Sequence, residues 1–359
     1  MMTIDGNAER RPILITMGDA CGIGPEIIAK AFAQGDAQGC VVVGHVGVLR
    51  RAVRCIGSSA AVAKIDTLAD AWALPPRVMP VLEPERLAAD LHELPIGRVD
   101  ARAGRVAAVC IEHAVGLTHA GEGAAIVTAP IHKEALHAAG IAFPGHTEML
   151  QSLAAERGSA PPVRMMLCSA ELRTVLVTIH VSLREAIEQI TFDNVLATIR
   201  IAAAAASRWG MAQPRIAVAG LNPHAGEGGL FGDEEIRYIA PAIAAARGEG
   251  IDASGPYAPD TVFMRARHAA GHPGEFDIVI AMTHDHGLIP IKYLGFEQGV
   301  NVTLGLPFVR TSPDHGTAFE IAGTGRADPR SLTAAIRMAR ELSARQFAAR
   351  APLSGAKTP

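Results

Sequence analysis

Ile15–Ile28 reads ITMGDACGIGPEII, and the fold class follows from this stretch. β-branched and apolar residues run into Gly18-Asp19, a glycine-containing turn follows, and Pro25 stands where a helix begins. Proline suits a first helical position because the N–H it lacks has no intrahelical partner there. The turn can offer backbone N–H groups to an anion at the head of the helix. As a dinucleotide fingerprint it is incomplete: Gly22-Ile23-Gly24 is not followed by the third glycine of GxGxxG, which disfavours a standard Rossmann site. A tight structural turn, with Asp19 or Glu26 capping nearby groups, explains the stretch equally well.

The same alternation runs outward along the chain. Short β-rich runs are expected at Ile13–Met17, Cys40–Gly44, Val78–Leu82, Ala124–Ala129, Arg164–Cys168, Thr174–Ile179, Arg215–Ala219, Asp277–Met282 and Val300–Leu304. Helical patterns lie between them at Pro25–Ala33, Ala103–Thr118, Glu148–Arg157, Asn194–Arg208, Glu234–Arg247 and Leu332–Ala349. This spacing predicts an α/β protein with a mostly parallel sheet. No repeat is evident, and no Pro/Ser-rich linker divides the chain, so two domains must be joined by several crossings.

Composition narrows the partners. The chain has 359 residues, enough for one large or two medium domains, with a formal charge of −3 and 4% aromatic residues. Dispersed basic residues without an aromatic platform give no case for nucleic acid. Apolar runs are short and broken, so no membrane span is expected, and the N-terminus lacks the apolar core of a secretory signal. The tail after Arg350 is expected to fray. Cys21, Cys40, Cys55, Cys110 and Cys168 are scattered and odd in number, which fits a reducing, cytoplasmic setting better than a disulfide framework.

Ligands of open α/β sheets collect outside the carboxyl ends of the strands. VLVTIH ends in His180, IAVAGLNPH leads to His224, and DIVIAMTH ends in His284. Three neutral imidazoles with an open fourth position make a site for a divalent ion. With 14 histidines in the chain, chance placement at strand ends is the competing explanation, and no HExxH motif supplements it. PGHTEML puts His146 and Thr147 where a helix begins, with Thr147 as cap, a setting suited to phosphate. Between Thr283 and Arg326, Lys292, Asn301 and Arg310 are donors in an otherwise apolar segment. A buried cation needs an anionic partner, and ordinary salt bridging meets that need as well as a ligand does.

Across Ile13 to Glu341 the chain resembles the 4-hydroxythreonine-4-phosphate dehydrogenase family of pyridoxal phosphate biosynthesis and its paralogues. The matching blocks are ITMGDACGIGPE, VTAPIHKEAL, FPGHTEML, GLNPHAGEGGLFGDEE and HDHGLIPIKYLGFEQGVNVTLGLPFVRTSPDHGTAFEIAGTG. The resemblance implies a two-domain α/β/α fold similar to isocitrate and isopropylmalate dehydrogenases, with the active site in the interdomain cleft. It places residues 1–139 with 311–359 in a cofactor-side domain, and residues 140–310 in a metal, substrate and dimerisation domain. It also implies a homodimer with a shared active site, His284 coming from the partner subunit.

By the same resemblance His180, His224 and His284 hold one divalent metal (zinc, magnesium, manganese or cobalt). His146, Thr147, Lys292, Asn301 and Arg310 contact a small phosphorylated hydroxy acid, and His315, Gly316, Thr317 and Ala318 contact NAD, with NADP possible. The implied reaction is oxidation of 4-phosphohydroxy-L-threonine or a similar four-carbon hydroxy-acid phosphate, with loss of CO2 from the β-keto acid. Asp285 and Asp260 are candidates for the base, and Lys292 for the proton donor.

Three departures concern the substrate. Ala20-Cys21 stands where the family usually has Pro-Ala. His286 interrupts the usual YHDQG pattern beside His284. Asp19 stands where the biosynthetic enzymes tend to have Glu. His286 bears on the substrate more than on the reaction. Asp19 points towards the paralogous branch, whose members act on erythronate or threonate 4-phosphate, or on the phosphate-free cis-dihydrodiol of terephthalate. The intact phosphate set favours a phosphorylated substrate. From other classes, a phosphate acetyltransferase-like enzyme needs no metal, and a non-enzymatic phosphate- or metal-binding protein has no use for HGTAFEIAGTG.

Overall fold

The computed structural model describes residues 11–350 except 86, 144, 156–158 and 296–298. The expectations for the N-terminal leader, for the tail after Arg350 and for the end of the 148–157 helix fall on residues outside that set. The chain divides into two compact units, Met1–Pro161 with Leu306–Arg340, and Pro162–Gly305 with Glu341–Pro359. The breaks follow Pro161 and Gly305, where the sequence put them after 139 and 310. Helix packing is the reason: α3 (Ala101–His119) packs against α4 (Lys133–Ala138) and α5 (His146–Leu153), which ties the segment beyond 139 to the first unit.

The first unit carries β1 (Ile13–Thr16), α1 (Gly24–Gln34), β2 (Cys40–Val43), α2 (Val46–Cys55), β3 (Val62–Ile65), β4 (Met79–Leu82), α3, β5 (Ala125–Thr128), α4 and α5. Its strands run in the order β3-β4-β2-β1-β5-β12, β12 being Arg310–Pro313, and every pairing within it is parallel. β1, β2, β4 and β5 are buried along their whole length. Central strands covered on both faces explain their continuous apolar runs. The chain winds from β1 to β2 on one side and returns to β5 on the other, so a topological switch point lies outside the carboxyl ends of β1 and β5. Gly104 of α3 admits the backbone of α4: a Cβ there meets the Ala135 carbonyl oxygen at 2.1 Å.

The second unit carries β6 (Arg164–Cys168), β7 (Arg173–Leu176), α6 (Leu183–Glu188), α7 (Phe192–Arg208), β8 (Ile216–Ala219), α8 (Ala240–Gly248), β9 (Ala253–Tyr257), α9 (Val262–Ala266), β10 (Ile278–Ala281), α10 (His284–Leu294) and β11 (Val300–Leu304). Its strand order is β11-β6-β7-β10-β8-β9, with β6 antiparallel to both neighbours and the rest parallel. Leu167, Leu176, Ala217, Val279 and Leu288 meet in its core. α7 opens on Thr191, whose hydroxyl accepts the Asn194 N–H at 3.2 Å. α11 (Arg330–Arg350) closes the described chain.

Each unit is α/β and mostly parallel, as expected. The sequence missed β3, β9 and β12, and the helices α2, α4, α6, α9 and α10. β12 reads RTSP, which carries no apolar alternation, and α10 begins in HDHG and contains Pro290. Its buried Leu288 and Ile291 are too few to show a helical period.

Candidate functional site

In the second unit β7, β10 and β8 are consecutive neighbours, and their carboxyl ends lead to His180, His284 and His224 respectively. The segment after β7 is tied to β10 by Val177 N–H donating to the Ala281 carbonyl at 2.9 Å and the Thr178 hydroxyl to the Met282 carbonyl at 2.8 Å. That brings the His180 and His284 rings to a centroid separation of 5.6 Å. Asp285 Oδ1 lies 2.7 Å from His284 Nδ1, the arrangement that fixes a metal-binding imidazole with its other nitrogen outward. Within one chain these two rings are neighbours. His224 does not join them: among the described residues no group of three His, Cys, Asp or Glu side chains is close enough to hold an ion.

Backbone conformation singles out the same residues. Six described non-glycine residues have positive φ, and His180 (44°), His224 (53°), Ala225 (54°), Glu227 (43°) and Ala318 (41°) are five of them. From His224 to Gly228 the chain makes a continuous left-handed turn. Each L-residue there costs about 1–2 kcal/mol, and such strain concentrates at functional sites, where the surroundings enforce it.

Asp260 is exposed at the end of the chain's approach to α9, and the Asp285 carboxylate is mostly exposed beyond its bond to His284. Lys292 is half-buried in α10, and Asn301 sits in β11 opposite Leu167. His286, the departure from the family pattern, has a buried Nδ1 with no partner, and burial pushes its pKa down against the opposing charge of Asp285.

In the first unit Arg310 starts β12 and is buried, with Nη2 donating to the buried Thr128 hydroxyl of β5 at 2.5 Å. Burial lowers its pKa to about 9, so it stays charged at neutral pH. α5 starts at His146, two residues earlier than a Thr147 cap requires. Gly145 takes the cap position, and no side chain bonds there. Thr147 instead lies inside the first turn, because the extended Gly145 backbone already leads into the helix. His146 is half-buried as a residue, but its Nε2 is buried and without a partner. Burial first, and the Arg310 charge second, hold its pKa well below the ordinary histidine range. His146 is a neutral imidazole beside a charged guanidinium.

At the switch point three loops interlock. Asp19 N–H donates to the Pro130 carbonyl at 2.9 Å, and Ile23 N–H to the Thr317 carbonyl at 3.0 Å. A Cβ on Gly22 would sit 2.9 Å from Thr317 Cβ, so only glycine allows that approach. The His132 ring stacks on Phe319 at 4.6 Å. Glu26 accepts the N–H groups of Gly323 and Gly325 and is wholly a capping residue. Asp19 is only partly one: Oδ1 accepts the Cys21 N–H at 2.8 Å, while Oδ2 is buried with no partner. Burial raises its pKa to about 6, opposed by the Cys21 bond and by His132. His132 Nδ1 and His315 Nε2 are likewise buried without partners, and His315 Nδ1 lies 3.1 Å from the Gly316 carbonyl. Gly316 is exposed, and Thr317 is buried. His132 was missed, although it follows the β5 run just as the three singled-out histidines follow theirs, and Asp19 was read only as a cap and a departure from the family pattern.

Comparison with known proteins completes the picture. A family model described as pyridoxal phosphate biosynthetic protein PdxA matches residues 36–339. The chain is 55% identical over 333 residues to a 4-hydroxythreonine-4-phosphate dehydrogenase of Beijerinckia indica, covering 92% of this chain and 95% of that one. It is 46% identical over 334 residues to a D-threonate 4-phosphate dehydrogenase of Pectobacterium atrosepticum, covering 92% and 99%. A crystal structure of 4-hydroxythreonine-4-phosphate dehydrogenase from Klebsiella pneumoniae superposes with a TM-score of 0.85 at 46% identity, covering 93% of this chain and 98% of that one.

Proposed function

The chain belongs to the family of the pyridoxal phosphate biosynthetic protein PdxA, and on that premise we propose that it is a metal- and NAD-linked dehydrogenase of a four-carbon hydroxy acid bearing a 4-phosphate. Relatives named for 4-hydroxythreonine-4-phosphate and for D-threonate 4-phosphate share that terminal phosphate. The observation that carries the reading is the His146–Arg310 corner, where a buried, unpartnered imidazole nitrogen lies beside a buried cation. Buried polar atoms are normally bonded, and a phosphate oxygen matches both the donor and the charge. As neutral imidazole, His146 donates one N–H to the phosphate without adding a second charge to be desolvated. Thr147, Lys292 and Asn301 are assigned to the same substrate, Lys292 as proton donor to the product carbon.

The histidines of the second unit have the donor chemistry for a divalent ion. Since the described residues of one chain do not gather all three, the set is assigned to the homodimer, with the partner's His284 completing it as the family resemblance implies. His180 and His284 stand together, Asp285 orients His284, and His224 leaves the adjoining strand. Bound there, the ion supplies Lewis acidity, and NAD is the two-electron acceptor in an oxidation whose β-keto acid product loses CO2. Asp285 is already engaged with His284, so its first role is to orient that ring, and Asp260 remains the alternative base. The loops around Asp19 and His315–Ala318 suit the polar end of NAD, because their unpartnered atoms cluster at a switch point.

The active form is a homodimer formed through the second unit. Leu183, Leu230, Phe231, Ile236, Met264, Ile289 and Tyr293 are exposed there, whereas Val99 is the one exposed large hydrophobic residue described in the first unit. This concentration of exposed apolar side chains in one unit supports an interaction surface there. The setting is cytoplasmic: all five cysteines are free, and no described helix is long and apolar enough to cross a membrane.

NADH formation with 4-phosphohydroxythreonine, threonate 4-phosphate and the terephthalate cis-dihydrodiol, each with and without chelator, tests the proposal. Chelator-sensitive turnover of a phosphorylated acid is expected. Turnover of the dihydrodiol alone overturns the substrate class, and turnover that survives chelation overturns the metal.

A further inference from the structure

We propose that Glu235 is the positioning residue of His224, holding the left-handed turn that presents this imidazole to the metal. The inference rests on the metal reading given above. His224 is the outlier of the trio: it opens a turn whose backbone, from His224 to Gly228, lies entirely at positive φ. A turn of that hand does not persist by itself, because Cβ crowds the following carbonyl at every non-glycine residue. Something outside the turn has to over-determine it.

Glu235 is placed to do so. It is 3% exposed, and its carboxylate reaches back across the sequence to the residues just before His224. Oε1 accepts the Leu221 N–H at 2.7 Å and the Asn222 N–H at 2.8 Å, while Oε2 accepts the Asn222 side-chain amide at 2.9 Å. The same amide donates to Glu234 Oε2 at 2.7 Å. Two consecutive backbone donors and one side chain are thus fixed within two residues of Pro223-His224.

The glycines of the segment make room for this carboxylate. A Cβ on Gly220 would lie 2.9 Å from Glu235 Oε1, and one on Gly226 would lie 2.8 Å from Oε2. A Cβ on Gly232 would lie 2.6 Å from the Asn222 amide nitrogen. Glu235 is therefore bonded to Leu221 and Asn222 before the turn, and Gly226 inside the turn leaves room for its carboxylate. It also opens a π-helical turn, Glu235–Ile239, a rare wide turn found frequently at functional sites. A carboxylate used only to cap its own helix would bond N–H groups of that helix, and these bonds run elsewhere.

The role is one of geometry, so charge and reach can be separated. Glu235→Gln replaces one acceptor oxygen with a donor that faces the Asn222 amide. Glu235→Asp keeps the charge but withdraws the carboxylate by one methylene. Outer-shell partners of metal ligands typically tune affinity by roughly 10- to 100-fold.

The experiment is Co2+ titration of the full-length protein, by calorimetry and by the visible spectrum of bound Co2+, with NAD affinity measured in parallel. The variants are His224→Ala, Glu235→Gln and Glu235→Asp. His224→Ala should lose most Co2+ affinity. Both Glu235 variants should bind Co2+ roughly 10- to 100-fold more weakly, with an altered spectrum and an unchanged NAD dissociation constant. If His224→Ala binds Co2+ like the parent, the metal reading itself fails. If His224→Ala loses the metal while both Glu235 variants keep parental affinity and spectrum, the positioning role is overturned. Loss in Glu235→Gln but not in Glu235→Asp overturns it too, because charge alone then suffices. If a Glu235 variant does not fold, Gly226→Ala takes its place, pressing a Cβ against the carboxylate. Its expected result is the same weakening of Co2+ with NAD binding intact, and parental Co2+ affinity in that variant overturns the proposal.

Discussion

Asp19→Asn should stabilise this protein at neutral pH and not in acid. Burial raises the Asp19 pKa from 3.8 to about 6. In the unfolded chain the carboxyl ionises near its ordinary value, so between roughly pH 4 and 6 the native state binds one proton more than the unfolded state. Stability therefore falls as pH rises through that window. At 1.36 kcal/mol per pH unit, the ionised, buried carboxylate costs about 3 kcal/mol above pH 6. Asparagine keeps an oxygen for the Cys21 N–H, now accepted at 2.8 Å, but places an amide nitrogen where Oδ2 has no partner. That buried donor returns about 1 kcal/mol of the gain.

The net advantage at pH 7.5 is about 2 kcal/mol, or a Tm roughly 4–8 °C higher for a folding unit of this size. It should shrink steadily below pH 6 and vanish or reverse near pH 4. Thermal unfolding of both proteins from pH 4 to pH 8 is the assay. A difference in Tm that stays constant over this range refutes the reasoning, as does a variant less stable than its parent at pH 7.5. A residue held against stability in this way is one that function retains.

Arg310→Met removes a charge-assisted contact to the phosphate and should lower kcat/KM for the phosphorylated substrate by roughly 10- to 150-fold. Steady-state kinetics check it, with the NAD dissociation constant expected to be unchanged. Asp285→Asn leaves the His284 ring without its orienting carboxylate and should weaken Co2+ binding by roughly 10-fold or more, read by calorimetry. Ile289→Asp with Tyr293→Asp puts two charges on the exposed face of α10, and light scattering should show the dimer replaced by monomer. If the double variant stays dimeric, the interface lies elsewhere.

The sequence by itself determined the α/β class and the placement of three histidines beyond strand ends, because alternation and strand ends are local properties. A run such as DIVIAMTH needs only its own residues to show a buried strand that ends in a histidine. The signal failed where local chemistry was ambiguous. RTSP has no apolar alternation and becomes β12 only by pairing with β5, and Pro290 obscured α10. Asp19 could be seen as a turn residue, but not as one with an idle buried oxygen, since Pro130 and Thr317, far along the chain, close the switch point around it.

The remaining properties of the candidate site came from the tertiary structure alone. The neutral state of His146 depends on burial and on Arg310, which is 164 residues away along the printed numbering. The left-handed backbone of His224 accompanies a carboxylate that comes after it in sequence. Secondary structure is encoded by neighbours a few residues apart, whereas pKa, strain and idle hydrogen-bonding capacity are set by whatever the fold packs against a group. Those are properties of an environment, and the environment exists only once the chain has folded.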